Sequence, residues 1–296
     1  MHNFSVVYGQ LVSQQATAVG APFQISQSTS VREVDGVAFD GTNYLVVWSN
    51  IRPLVSERDI YGRFVSTAGV PAGSDFEIDD GAGVDATLAF GASSYFVVWI
   101  EDIAQTETRG RFVTPAGVLQ SAFTVNGSGA SSANPGALGF DGTNFLVVWT
   151  DDMGGLQEFD FFAQRVSPAA ALVGSPIPIT TAPGTQLLPY IAFDGLNYLI
   201  TWTDLVNDAN GNFVCDSGEG TCLDVFGQFL SSAGTLVGTN FAVVADPGHQ
   251  GQSPVAWGGG TYLVAWSDQV GTPNPDVFGI LLPSDPIFKD GFEAGS

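Results

Sequence analysis

Apolar residues in this chain come in short bursts, not in helical periods. The clearest burst is Tyr44-Leu45-Val46-Val47-Trp48, preceded by Ala38-Phe39 and the turn Asp40-Gly41-Thr42-Asn43. It recurs as Phe90-Gly91 to Trp99, Phe140-Asp141 to Trp149, Phe193-Asp194 to Trp202 and Trp257-Gly258 to Trp266. Two apolar runs around a Gly-containing turn predict a β-hairpin, strands A and B. A third run, Ile60 to Val65, predicts strand C, with copies at Val7–Val12, Thr108–Val113, Phe161–Val166, Val225–Leu230 and Val277–Leu282. Strand D is Phe76-Glu77-Ile78, recurring at Phe23–Ile25, Phe123–Val125, Ile177–Ile179 and Phe241–Val243. The closing tryptophans stand at 48, 99, 149, 202 and 266, a period of about 50 residues that points to a repeat array.

Strand B is apolar on successive residues, so Leu45, Val46, Val47 and Trp48 must bury both faces of their sheet. A β-sandwich would show cleaner in/out alternation. A sheet held between two like sheets fits better, which predicts an all-β β-propeller of four-stranded antiparallel blades. One domain is expected over 1–285, with blades near 33–79, 84–126, 134–180, 187–244 and 254–282, N-terminal strands over 6–26, and a tail over 286–296. The chain opens on strands C and D and closes on A, B and C. The ends can complete one another in a five-bladed ring, or the N-terminal pair can be the outer half of a truncated six-bladed array. The second is slightly favoured, because the first leaves a C strand over.

Composition narrows the partners. Acids number 30 against 8 bases, the pI is about 4.1, and only 13% of residues are charged. Such a surface repels nucleic acid and anionic membrane and attracts cations or basic ligands. A hydrophobic fraction of 45% excludes a disordered chain. No apolar run is long enough for a membrane span. Met1-His2-Asn3-Phe4-Ser5 carries no basic stretch leading into an apolar run, so no signal peptide is visible.

The repeat AFDGTNYLVVW…DIYGRFV resembles one found in multiple copies in large secreted or surface proteins of bacteria. That resemblance covers nearly the whole chain and implies a secreted or cell-surface scaffold. The Asp-box of sialidase propellers is rejected, since Ala38 fills its Ser/Thr position. The tail Ile287 to Glu293 looks like a short C-terminal motif of exported bacterial proteins.

Acids recur in register. Asn50, Glu101, Asp151, Asp204 and Asp268 stand two residues past each closing Trp, and Asp59, Glu107, Asp160, Asp224 and Asp276 precede the later C strands. Both sets flank the B–C connection and belong on one rim. They read first as turn caps and second as cation ligands. The B–C connection lengthens after Trp202, where Asp204, Asp208, Asn210, Asn212, Asp216 and Glu219 offer alternating oxygen ligands around Gly211. The run resembles the calcium loops of secreted proteins, though not an EF-hand, because its Gly falls at the fourth position and no helix pattern flanks it. Calcium is the expected cofactor. Cys215 and Cys222, the only cysteines, lie in the same loop and read as a disulfide, which implies an oxidising compartment. Zinc lacks ligands there, and the only histidines are His2 and His249. Arg63 and Arg111 share one repeat position and read as architectural.

No nucleophile–base pair emerges. The expected function is therefore a non-catalytic, monomeric, extracellular scaffold binding protein or glycan and stabilised by calcium. The alternative is a carbohydrate-active hydrolase or lyase using acids on the propeller face. If calcium occupies the 204–219 run, EDTA lowers the melting temperature and added calcium restores it. An unchanged melting temperature removes calcium from the account.

Overall fold

The computed structural model describes residues 5–51, 58–81, 83–103, 105–126, 135–151, 159–180, 185–205, 223–245, 250–268 and 276–284, without the side chains of 32, 51, 102, 103, 105, 106 and 135. Among these residues every regular element is a strand. None forms a helix long and apolar enough to cross a membrane. A two-stranded antiparallel sheet comes first, β1 (Tyr8–Val12) with β2 (Ala18–Gln24). The next sheet runs in chain order through β3 (Val31–Phe39), β4 (Asn43–Ile51), β5 (Arg58–Ser66) and β6 (Pro71–Asp79). The same up-and-down order holds for β7 (Gly83–Gly91), β8 (Ser94–Ile103), β9 (Gln105–Val113) and β10 (Phe123–Thr124). It holds again for β11 (Pro135–Phe140), β12 (Phe145–Asp151), β13 (Asp160–Val166) and β14 (Leu172–Pro178). A fourth four-stranded sheet contains β15 (Gln186–Phe193), β16 (Asn197–Asp204), β17 (Asp224–Ser231) and β18 (Leu236–Val244). In the last sheet β19 (Gln250–Gly251) and β20 (Val255–Gly258) form one interrupted first strand beside β21 (Thr261–Asp268), which pairs with β22 (Asp276–Pro283). The architecture is thus all-β, made of the antiparallel blade-type sheets the repeat predicts. The strands are longer than the apolar runs that mark them, because backbone pairing continues through flanking polar residues.

The chain divides into two compact units, residues 1–147 with 166–174, and residues 148–165 with 175–296. In the first, β4 and β8 are buried on both faces. Leu45 and Val47 from β4 pack with Tyr95, Val97 and Trp99 from β8, while Val46 and Trp48 pack with Val7 and Ile25 beside the N-terminal pair. Successive side chains on a strand point to opposite faces, so the continuous apolar run is what lets one strand meet a sheet on each side. In the second unit Leu199 and Val225 pack likewise with Tyr262, Val264 and Trp266. There β21 alternates instead, burying Tyr262, Val264 and Trp266 while Leu263 is half exposed.

Polar groups fasten the sheets. In the Asp40 turn the carboxylate Oδ1 accepts the N–H groups of Thr42 and Asn43 at 2.7 and 2.6 Å. Asp141 and Asp194 hold their turns in the same way. Tyr95 of the next sheet donates its hydroxyl to the Asn43 carbonyl at 2.9 Å, and Tyr262 donates to that of Asn197 at 3.0 Å. Arg63 donates to the Ile25 carbonyl at 2.6 Å and to that of Gly73 at 2.7 Å. Arg111 donates to the Ile78 carbonyl, so the architectural reading of these two arginines holds.

At Gly9 and Gly227 the strand C glycine makes room for an aromatic ring from strand D. A Cβ at Gly227 would stand 3.0 Å from the Phe241 ring, and one at Gly9 2.8 Å from the Phe23 ring. The third sheet has Ala163 at this position and Ile177 opposite, a smaller side chain where the extra methyl must fit. Gly227→Ala should therefore destabilise by about 1–3 kcal/mol, and Phe241→Ile in the same chain should recover part of that loss. Additive losses in denaturant titrations of the single and double variants would refute this packing.

Candidate active site

Most of the acidic positions picked out by register are directly paired across the strands. Asn50 faces Asp59, Glu101 faces Glu107, Asp204 faces Asp224 and Asp268 faces Asp276. The B–C loop brings the two strands together there, so the acids form one row per sheet at its end. Asn50, Asp59, Asp204, Asp224 and Asp268 are buried. In the first unit Arg109 answers the row, its Nη1 lying 3.1 Å from Glu101 Oε2 and 3.6 Å from Glu107 Oε2. Arg109 stands opposite Trp99, where Trp48, Trp202 and Trp266 face Tyr61, Phe226 and Phe278. Burial raises the Glu101 carboxyl above its ordinary range, against the pull of Arg109. Asp79 is raised by burial too, while its Oδ2 accepts the Gly81 N–H at 3.0 Å.

Of the expected calcium ligands, Asp204 is described. It ends β16, buried, and its Oδ2 accepts the Trp202 Nε1–H at 3.2 Å. Burial raises its carboxyl, with Trp202 and Gln186 pulling the other way. Asp208, Asn210, Asn212, Asp216, Glu219, Cys215 and Cys222 lie outside the described residues. Among the described residues no three His, Cys, Asp or Glu side chains are grouped to hold a metal ion.

A second group of acids was not legible from rim spacing. It sits on the first strands of the two leading sheets, β3 and β7, in the first unit. Asp35 is half-buried and its carboxyl is pushed up to about 8. Desolvation contributes most, then the charges of Glu33 and Asp85, while the Ala86 backbone N–H and the Arg58 guanidinium oppose the rise. Its Oδ2 is buried with no hydrogen-bond partner in the described structure. Asp35 thus keeps its proton at neutral pH beside two other acids.

Backbone bulges place these groups. Pairing of β3 with β4 slips between Val34 and Gly36, around Asp35, and pairing of β7 with β8 slips between Val84 and Thr87, around Asp85. Asp85 has a φ of 51°, in the left-handed region that few residues enter. Leu188 and Gln252 occupy the same repeat position with a φ of 54° each, so the bulge is architectural and the carboxylate is what this copy adds. The repeat position of Asp35 holds Ala86, Gly136, Pro189 and Ser253 in the other copies. An acid breaking a small or apolar column was the available signal.

No family model and no curated protein matches the chain. Among solved structures it is similar to an acylaminoacyl peptidase of Pyrococcus horikoshii, at 9% identity and a TM-score of 0.55, over 91% of this chain and 40% of that one. It is also similar to an endo-arabinase from Bacteroides thetaiotaomicron, at 13% identity and a TM-score of 0.48, over 86% of this chain and 94% of that one. A third is the catalytic domain of a Coprinopsis cinerea GH62 α-L-arabinofuranosidase, at 10% identity and a TM-score of 0.46, over 95% and 98% of the two chains. The peptidase likeness shows the fold alone. The glycoside hydrolases among the similar structures are of the class of the carbohydrate-active alternative rather than of the expected non-catalytic scaffold, and at these identities the likeness is one of fold. What this chain could do chemically rests on its own carboxyl groups.

A carboxyl raised by folding binds its proton more tightly in the folded state. Its stabilising effect is then full below about pH 4 and is lost as the pH rises toward about 8. Asp35→Asn should accordingly raise the melting temperature at pH 9 by about 5 °C or more and change it little at pH 4. Equal shifts at the two pH values would show that Asp35 titrates normally.

Proposed function

We propose that the chain is a carbohydrate-active hydrolase whose proton donor is Asp35. The observation that supports this is a carboxylic acid kept protonated near neutral pH beside the carboxyl groups of Glu33 and Asp85. Glycoside hydrolysis needs that asymmetry: one acid holding a proton and one carboxylate without it. In the reaction Asp35 protonates the glycosidic oxygen, and the bond between that oxygen and the anomeric carbon breaks. Asp85 or Glu33 assists the attacking water or attacks directly. Partial burial is the main reason the proton stays on Asp35, since full exposure to water would return its affinity to the ordinary range. A glycan ligand suits the acidic, weakly basic surface, because neutral sugars carry no charge for it to repel. Under this reading the chain works outside the cell, where polysaccharides are met.

The test is turnover on a panel of arabinan, arabinoxylan, xylan and xyloglucan, followed by release of reducing ends. Asp35→Asn should lower kcat by about 100-fold to 10,000-fold on the active substrate, with folding checked by circular dichroism. The wild-type rate should fall above about pH 8, as Asp35 loses its proton. No turnover on any glycan, or turnover untouched by the Asn variant, would end this proposal.

A further inference from the structure

The first unit has a place where the regular packing stops. In it, Leu45, Val47 and Ala38 of one A–B hairpin press on Tyr95, Val97 and Leu88 of the following sheet. Tyr95 then donates its hydroxyl to the Asn43 carbonyl in the hairpin turn. Tyr44 and Val46 are the counterparts of Tyr95 and Val97 in the sheet β3–β6. Val7, Ile25 and Phe23 pack against them in part, but no hairpin covers them from the N-terminal side among the described residues, where β1 pairs with β2 alone. An open cavity of about 440 Å³ lies there instead, lined by Val34, Val37, Tyr44 and Val46 on one side and by Phe23 and Leu11 on the other.

Four features of the cavity match a hairpin. Tyr8 and Val12 on β1 are mostly exposed, and so are Val34 and Val37. Strand β1 is a C strand by its repeat position, and every other C strand pairs on one side with a B strand, so its free edge offers backbone groups in the register a B strand takes. The Tyr44 hydroxyl has no hydrogen-bond partner among the described residues, where Tyr95 and Tyr262 each hold a turn asparagine carbonyl. Val37 occupies the position of Leu88, whose Cδ2 lies 2.5 Å from where a Cβ on Gly36 would stand. Continuity with this repeated interface identifies the occupant.

We infer that the β1 edge and this cavity take up an A–B β-hairpin of the same repeat, presented by a partner chain, which adds its B strand to β1 and seats its Leu and Val side chains on Tyr44 and Val46. A small apolar ligand would fill the volume but would leave both the strand edge and the Tyr44 hydroxyl unmatched. The inference is independent of the hydrolase reading.

The probe is a disulfide-cyclised hairpin peptide copying residues 36–49, added to the full chain and followed by calorimetry and thermal melting. Saturable one-to-one binding with a higher melting temperature is expected. Val37→Glu, which alters an exposed position, should weaken binding at least tenfold with an unchanged circular dichroism spectrum. Tyr44→Phe should weaken it about threefold to tenfold, the loss of one hydrogen bond. Val118→Glu, at an exposed site elsewhere, should leave binding unchanged. The inference is overturned if the peptide does not bind, if a scrambled hairpin binds equally well, or if Val37→Glu binds like wild type. A hydrophobic dye that occupies the cavity and is not displaced by the hairpin also overturns it and marks a small-molecule site.

Discussion

Everything regular in this protein follows from burying one strand on both faces. In β4, β8, β12 and β16 four or more consecutive side chains are withdrawn from water. A strand in that state needs a sheet on either side, so each repeat is stable only through its neighbours. The closing tryptophans, buried in every copy, supply the largest apolar surface of that packing. The turn aspartates, the tyrosine hydroxyls and the strand C arginines then fix register and spacing with hydrogen bonds. The strand C glycines at 9 and 227 are a consequence of the same crowding, since the strand D ring needs the room a Cβ would fill.

That constraint decides where chemistry fits. The interiors of β4, β8, β12 and β16 are largely taken up by apolar packing, and the acids in register stand at their ends. The acid row at the B–C end is the general case, with Arg109 answering it in the second sheet. Asp35 is the special case. It sits at a bulge in the first strand of its sheet, beside the chain's own negative charge, and stays protonated at a cost in stability. A carboxyl whose proton affinity is shifted by burial and by neighbouring charges is a better candidate for chemistry than an exposed acid.

The sequence was informative where periodicity carried the signal. Five A–B hairpins, the C strands and the pairing of Asn50 with Asp59 and Asp204 with Asp224 all follow from counting from each tryptophan. Strand lengths did not, because backbone pairing extends past the apolar residues. The Asp35 group was missed for a related reason. Its three acids lie on two different strands, Glu33 and Asp35 on one and Asp85 on the other, and only sheet packing brings them together. Rim spacing drew attention to the loop after Trp202 instead. The scaffold reading rested on the want of a nucleophile–base pair, a test that overlooks an acid perturbed by burial.

The central claim is that folding holds a proton on Asp35 near neutral pH. A carboxyl 13C NMR titration of the labelled protein, with the Asp35 resonance assigned by difference from Asp35→Asn, measures this directly. The account predicts a midpoint near pH 8. A midpoint near 4, the ordinary aspartate value, would contradict it.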